Sequence, residues 1–204
     1  MQVLKDEIKD RILEAALVLF AGKGYQNTTM AEIAAKAGIS VGNIYLYFKK
    51  KEVLFQTVIP EDFLLKFKAY LQNKILAAPG TSLTGLENNP LYILAKDEML
   101  DFYSDNRLKL IAVFDKGEGT IYANAKNELL NYTIDLFINY VKALPEPIGK
   151  EKLEAIKPLI QLIYANLFNC IFEIFKRFST KEELRQAFSQ ILNYHLYGLK
   201  GLIK

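Results

Sequence analysis

The stretch TTMAEIAAKAGISVGNIYLYF, residues 28–48, decides the fold. Thr29-Met30-Ala31-Glu32 has the spacing of a capping box, in which a hydroxyl and a carboxylate three residues apart satisfy the free amides that open a helix. Met30, Ile33, Ala34 and Ala37 recur at three and four, which gives a short helix with one inward face. Gly38 can close that helix, Ile39 can anchor the turn, and Ser40 can cap the next helix at once. Two short helices joined by Ala37-Gly38-Ile39-Ser40 make a helix-turn-helix, a motif whose second helix commonly enters the major groove of duplex DNA.

In that second helix Ile44 and Phe48 lie four apart and pack inward, leaving Gly42, Asn43, Tyr45, Leu46 and Tyr47 on other faces. Gly42 costs a helix about 1 kcal/mol relative to alanine, so another surface is expected to come close there. Two readings of that surface stand: DNA, or a neighbouring helix. Tyr45 and Tyr47 carry hydroxyls that can reach phosphate oxygens, and Lys49, Lys50 and Lys51 add charge at the same edge. Lysine runs also open solvated helices and tyrosines also half-bury in cores. Their conjunction with a capped helix-turn-helix is what favours a grip on phosphate.

Outward from this stretch the periodicity stays helical. Leu4, Ile8, Ile12, Ala15, Ala16 and Leu19 form one stripe, and Gly22 and Gly24 end it. A helix from Lys51 towards Leu76 contains Pro60, which should bend or break it. Residues 78–90, with Pro79-Gly80 and Asn89-Pro90 at the ends, read as a loop. Further helices are expected at 91–104, 107–114, 120–143, 150–178 and 181–200. Alternating strand patterns and Asn-Gly or Asp-Gly hairpin turns are missing from the sequence, so the class is all-α.

Composition sets the frame. With 204 residues, 51% of them apolar, the chain can bury a substantial core. The net charge of +3 is divided evenly, with 8 basic against 6 acidic side chains up to Ile59 and 18 against 17 beyond it, so any basic patch must arise from local placement. One cysteine, Cys170, excludes an internal disulfide and a Cys-rich zinc site. Uninterrupted apolar runs fall short of the roughly 20 residues of a membrane span, and the first residues mix acids with bases, unlike a signal peptide. A soluble cytoplasmic protein without membrane attachment is expected.

Residues 12–55 resemble the DNA-binding head of the TetR family of bacterial transcriptional regulators. The likeness runs through the aliphatic-aromatic end of the first helix, Gly24-Tyr25, Thr28-Thr29, Ile33-Ala34, Ala37-Gly38, Gly42, Ile44-Tyr45, Tyr47-Phe48 and Lys51-Glu52. The resemblance implies an all-α homodimer: a helix-turn-helix DNA-binding domain over residues 1–50, then a larger helical effector-binding and dimerisation domain over 51–204, linked by a fourth helix from about 51. It implies a ligand-responsive regulator, most often a repressor, bound to a near-palindromic double-stranded operator. Carried over by position, Thr28 or Thr29 would hold phosphate, and Ser40, Val41, Gly42 and Asn43 would lie nearest the bases. Tyr45 and Tyr47 would touch backbone or base edges, and Lys51, beside Lys49, would hold phosphate. Val41 departs from the polar or charged residue many members have there, which leaves base preference open.

Beyond about residue 60 the resemblance fades and the residues must speak for themselves. Among 12 tyrosines and 13 phenylalanines, Phe102, Tyr103, Tyr122, Phe137, Tyr164 and Phe168 are candidates to line a site for a small apolar or aromatic effector, although most aromatics in such a chain simply form core. Residues 159–178 are too apolar all round for a surface helix, and Thr180 with Glu183 caps another helix carrying an apolar face. Phe172, Phe188, Ile191, Leu192, His195 and Leu199 are therefore candidates for a dimer interface built from two helices of each subunit, against the alternative of a core closed within one chain. His195, the only histidine, reads as a buried core or interface residue. Asp97, Asp101 and Asp105 share a face without a histidine and read as solvated. No nucleophile-base pair has recognisable spacing, so neither enzyme activity, cofactor nor metal is expected. The alternative function is a helical small-molecule-binding or scaffold protein that keeps the head without specific operator recognition.

Overall fold

The computed structural model describes residues 2–77, 97–142 and 148–203, and among these there are nine helices and no strand. In chain order they are α1 (Gln2–Lys23), α2 (Met30–Lys36), α3 (Val41–Tyr47), α4 (Lys51–Val58), α5 (Phe63–Ala77), α6 (Asp97–Phe114), α7 (Ala125–Lys142), α8 (Lys150–Arg177) and α9 (Lys181–Ile203). The expected loop at 78–90, the start of the helix at 91 and the break at Pro145-Glu146-Pro147 lie outside the described residues.

The helix ends follow the local chemistry. Gly24 takes φ +88°, and its amide donates to the Phe20 carbonyl at 3.0 Å, closing α1. At the start of α2 the Glu32 amide donates to Thr29 Oγ1 at 3.2 Å while the Thr29 amide donates to Glu32 Oε2 at 2.9 Å, the reciprocal pair of a capping box. Gly38 adopts φ +68° after α2, and the Asn43 amide donates to Ser40 Oγ at 3.2 Å to open α3. Pro60 does more than bend its helix. It separates α4 from α5, and its carbonyl accepts from the Phe63 amide at 2.9 Å as the chain restarts. Thr180 and Glu183 repeat the capping box at α9, at 3.3 and 3.0 Å.

Two helix readings are corrected. Ser104-Asp105-Asn106 does not break α6. Asn106 Nδ2 donates to the Phe102 carbonyl at 3.0 Å along the helix, and Tyr103 and Leu110 are buried, so packing outweighs the weak local propensity. Residues 120–124 are turns, with α7 starting at Ala125. In addition, α8 is long and apolar enough to cross a membrane by length and composition, at a mean hydropathy of 1.4 over 18 residues. Averaging admits Gln161, Asn166 and Asn169, which interrupt any continuous run. The core helix of a soluble protein meets the same criterion, and α8 buries Ile160, Tyr164, Leu167, Phe168, Phe172 and Phe175.

The chain forms two compact units: Met1–Leu65 with Leu108–Lys126, and Lys66–Arg107 with Asn127–Lys204. In the first, Ile12, Ala16, Phe20, Ile33, Ala34, Ile44, Phe48, Leu54 and Phe55 form the core of the three-helix head and α4. Residues 108–126 belong to this unit through tight contacts. The Tyr122 ring lies 6.3 Å from that of Phe55, and its hydroxyl donates to the Pro60 carbonyl. A Cβ at Gly117 would lie 2.4 Å from the Val113 carbonyl, so only glycine fits where this segment turns. In the second unit α8 and α9, joined by three residues, pack as neighbours, and Arg107 Nε donates to the Phe178 carbonyl at 3.1 Å across their turn.

Candidate nucleic-acid interface

The head divides α3 into two faces. Ile44 is fully buried and Phe48, which follows the helix, is 4% exposed, so both point into the three-helix core. On the other side Val41 is 45%, Tyr45 42% and Leu46 74% exposed. Asn43 and Tyr47 are half-buried, and Ser40, Lys49 and Lys50 are exposed. A small helix that seats two side chains and presents this many others is built to offer a surface.

Gly42 resolves between its two readings. A Cβ added there would meet no atom of the described residues within 4 Å, so none of the described helices needs the space. Its backbone is bare towards the outside, where a partner surface can approach α3 closely.

Two candidate phosphate contacts have partners within the chain. Thr28 is completely buried, and its hydroxyl donates to the Gly24 carbonyl at 2.7 Å, so it locks the loop between α1 and α2. Lys51 turns inward. Its Nζ donates to the carbonyls of Tyr25 at 2.7 Å and Thr28 at 2.8 Å, and sits 4.3 Å from the centroid of the Tyr25 ring. Burial lowers its pKa, with the Glu32 carboxylate acting the other way. Lys51 thus clamps the loop to α4. Beneath it the rings of Phe20, Tyr25 and Phe55 meet at 5.1 to 5.8 Å, which explains why Gly24-Tyr25 and Lys51 occur together. Thr29 stays exposed, but its hydroxyl is engaged with Glu32, whose carboxyl is held down at about 2 by Lys23 and the cap. The first turn of α2 therefore already carries an anion.

The six aromatic candidates for an effector site do not form one cluster. Tyr122 belongs to the head unit, where burial pushes its hydroxyl up to about 12. In the second unit Phe102 stacks on Phe67 and Tyr70 at 5.4 and 4.8 Å, and Tyr103 on Phe188 at 4.9 Å. Phe137 and Tyr164 meet at 5.4 Å, and Phe168 lies 6.2 Å from Phe172. The Tyr164 hydroxyl is buried without a hydrogen-bond partner among the described residues.

Most of the dimer candidates are buried within one chain. Phe172, Phe188, Leu192 and His195 are at most 4% exposed within a single chain, where Phe188 packs on Tyr103 and Phe175 and His195 on Tyr164. Ile191 is half-buried, and the Leu199 side chain lies outside the described set. The exposed apolar residues of these helices are Leu159, Leu162, Tyr194 and Tyr197. The sequence reading missed them because both helices carry two apolar stripes. The signal was present in α8 as a second apolar set at 159, 162 and 163 beside the buried 160, 164, 167 and 168.

A three-helix head with the third helix turned outward, in an all-α chain, defines a helix-turn-helix fold. Residues 12–58, about a quarter of the chain, match the model of the bacterial regulatory proteins of the tetR family. An uncharacterized HTH-type transcriptional regulator, YerO, of Bacillus subtilis is 51% identical over 49 residues, which are 24% of this chain and 17% of that protein. The HTH-type transcriptional regulator AcrR of Shigella flexneri is 30% identical over 129 residues, 60% of this chain and 57% of its own length. The chain thus spans less than two thirds of these curated relatives. A TetR-like transcriptional regulator from Rhodococcus shares the fold over 95% of this chain and 96% of its own, with a TM-score of 0.58 at 20% identity.

Proposed function

We propose that this protein is a homodimeric, ligand-responsive transcriptional regulator, a repressor that leaves a near-palindromic operator when a small apolar or aromatic effector binds the second unit. The observation that carries the reading is α3 itself: Ile44 and Phe48 seated in the core, with Val41, Tyr45 and Leu46 exposed around a glycine whose Cβ position is open among the described residues. Ser40, Gly42 and Asn43 then lie nearest the bases, with Val41 and Leu46 offering apolar contact to thymine methyl groups. Tyr45, Tyr47, Lys49 and Lys50 hold the phosphates on either side. Thr28 and Lys51 act indirectly by fixing the loop between α1 and α2 to the start of α4. The match of residues 12–58 to the tetR family model and the naming of AcrR as a transcriptional regulator point the same way.

Dimerisation is supported by the outward apolar stripes of α8 and α9, and effector binding by the aromatic packing around Phe137, Tyr164 and Phe168, where the Tyr164 hydroxyl offers one hydrogen bond. The effector must favour the state that does not bind DNA, since equal affinity for both states shifts nothing. The chain passes between its two units at 65–66, within α6 at 107–108, and at 126–127, and these segments carry the change.

Selection from a randomised DNA pool, followed by salt titration on the enriched site, tests the proposal. One enriched inverted repeat is expected, bound with log affinity falling linearly in log salt and outlasting random DNA. A pool without enrichment would support a binding or scaffold role.

A further inference from the structure

Leu46 is, at 74%, the most exposed large apolar side chain among the described residues. Its place on α3 is central. At about 3.6 residues per turn Gly42 and Leu46 fall on one line along the helix, opposite the fully buried Ile44. Val41 and Tyr45 flank that line on one side, Asn43 and Tyr47 on the other. The middle of the face that α3 turns away from the core is therefore a bare backbone followed, one turn on, by a leucine.

The surroundings indicate what covers an apolar side chain there. From Ile33 to Lys51 there is no acidic residue, and there are four lysines. Lys36, at the end of α2, and Lys49 and Lys50, just after α3, are exposed. An apolar centre inside a rim of cations fits a polyanion that itself carries apolar groups. The floor of a DNA major groove offers one such group, the C5 methyl of thymine.

The same face lacks the groups that read guanine, whose O6 and N7 are taken chiefly by arginine or lysine. Residues 37–48 contain neither. The single arginine of residues 1–65, Arg11, donates to the Gly38 carbonyl at 3.4 Å and so braces the turn before α3. Asn43 carries the only side-chain amide on α3, the group that pairs with the N6 and N7 edge of adenine.

We propose that α3 reads thymine methyl groups and does not read guanine: Leu46, with Val41 beside it, packs on the methyls of each operator half-site, and Asn43 takes an adenine. The inference rests on the operator binding proposed above and adds which bases the half-site holds and how they are told apart.

Titration of the full chain with the duplex enriched from a randomised pool, and with two chemical variants of it, tests the assignment. Replacing thymine by uracil removes the methyl and keeps the pairing, and should weaken binding about fourfold for each methyl contacted. Replacing guanine by 7-deazaguanine removes the N7 acceptor and should leave affinity within about twofold. The double variant Val41→Ala, Leu46→Ala changes side chains that are exposed in the free protein, so its helix content and melting temperature should match the parent's. It should bind the thymine and uracil duplexes alike. A pool without an enriched duplex would overturn operator recognition and this assignment together. An enriched duplex bound equally with thymine or uracil would leave operator recognition standing and overturn the methyl contacts. Discrimination undiminished in the double variant would overturn the roles of Val41 and Leu46, and a large loss with 7-deazaguanine would show that guanine is read.

Discussion

His195 is held neutral by its surroundings: burial between α8 and α9 lowers its pKa from 6.5 to about 4, with its ring perpendicular to that of Tyr164 at 4.8 Å between centroids. The unfolded chain therefore binds a proton that the folded chain refuses between those two values. Stability should rise with pH across that window and fall on acidification, by an amount on the order of 3 kcal/mol once pH drops below about 4. Urea melts from pH 7 to 4 on the parent and on His195→Gln measure it, and the variant should lose that part of the slope. Lys51 behaves differently at this scale. Because its Nζ is committed to the Tyr25 and Thr28 carbonyls, Lys51→Met should cost about 1–3 kcal/mol of head stability, seen in thermal melts without DNA. An unchanged melting temperature would return Lys51 to the phosphate-binding set. The sequence shows that Thr28 and Lys51 are polar and near the interface in the chain. Which way a side chain turns depends on carbonyls brought together by the fold, and no local pattern encodes that.

At the scale of the element, α2 and α3 were legible because their caps and turn glycine act locally, within four residues. The break between α4 and α5 was legible from Pro60, which has no amide to donate. The continuity of α6 was not, since Tyr103 and Leu110 hold it straight through the Ser104-Asp105-Asn106 stretch from partners distant in sequence. For α3 the open space at Gly42 leads to an opposed pair of effects. Gly42→Ala should stabilise the head by about 0.4–1 kcal/mol, because it strengthens the helix without meeting any atom. The same change should weaken DNA binding, because a methyl group stands where the duplex comes close. Calorimetry of the free protein beside DNA titration separates the two, and affinity unchanged by Gly42→Ala would mean that DNA does not approach α3 there. Thr29→Ala removes the α2 cap and should cost about 1 kcal/mol in the same melts.

For the whole molecule, the sequence assigned all helical structure and the position of the head, but its simple cut near residue 51 says nothing of the packing of residues 108–126 with the head. That association is carried by Gly117, Tyr122 and Phe55, which are far apart in sequence and individually ordinary. The effector site remains spread among aromatic residues that serve equally as core, since ring packing looks the same in sequence whether or not a ligand is to share it. The functional reading requires two heads acting on one duplex, with recognition helices reaching major grooves about 34–36 Å apart or a multiple of that spacing. Hydroxyl-radical footprinting on the enriched operator measures this directly. Two protected patches related by two-fold symmetry, centred whole helical turns apart on one face of the DNA, are the expected result. A single unpaired patch, or protection that follows no sequence, would contradict it.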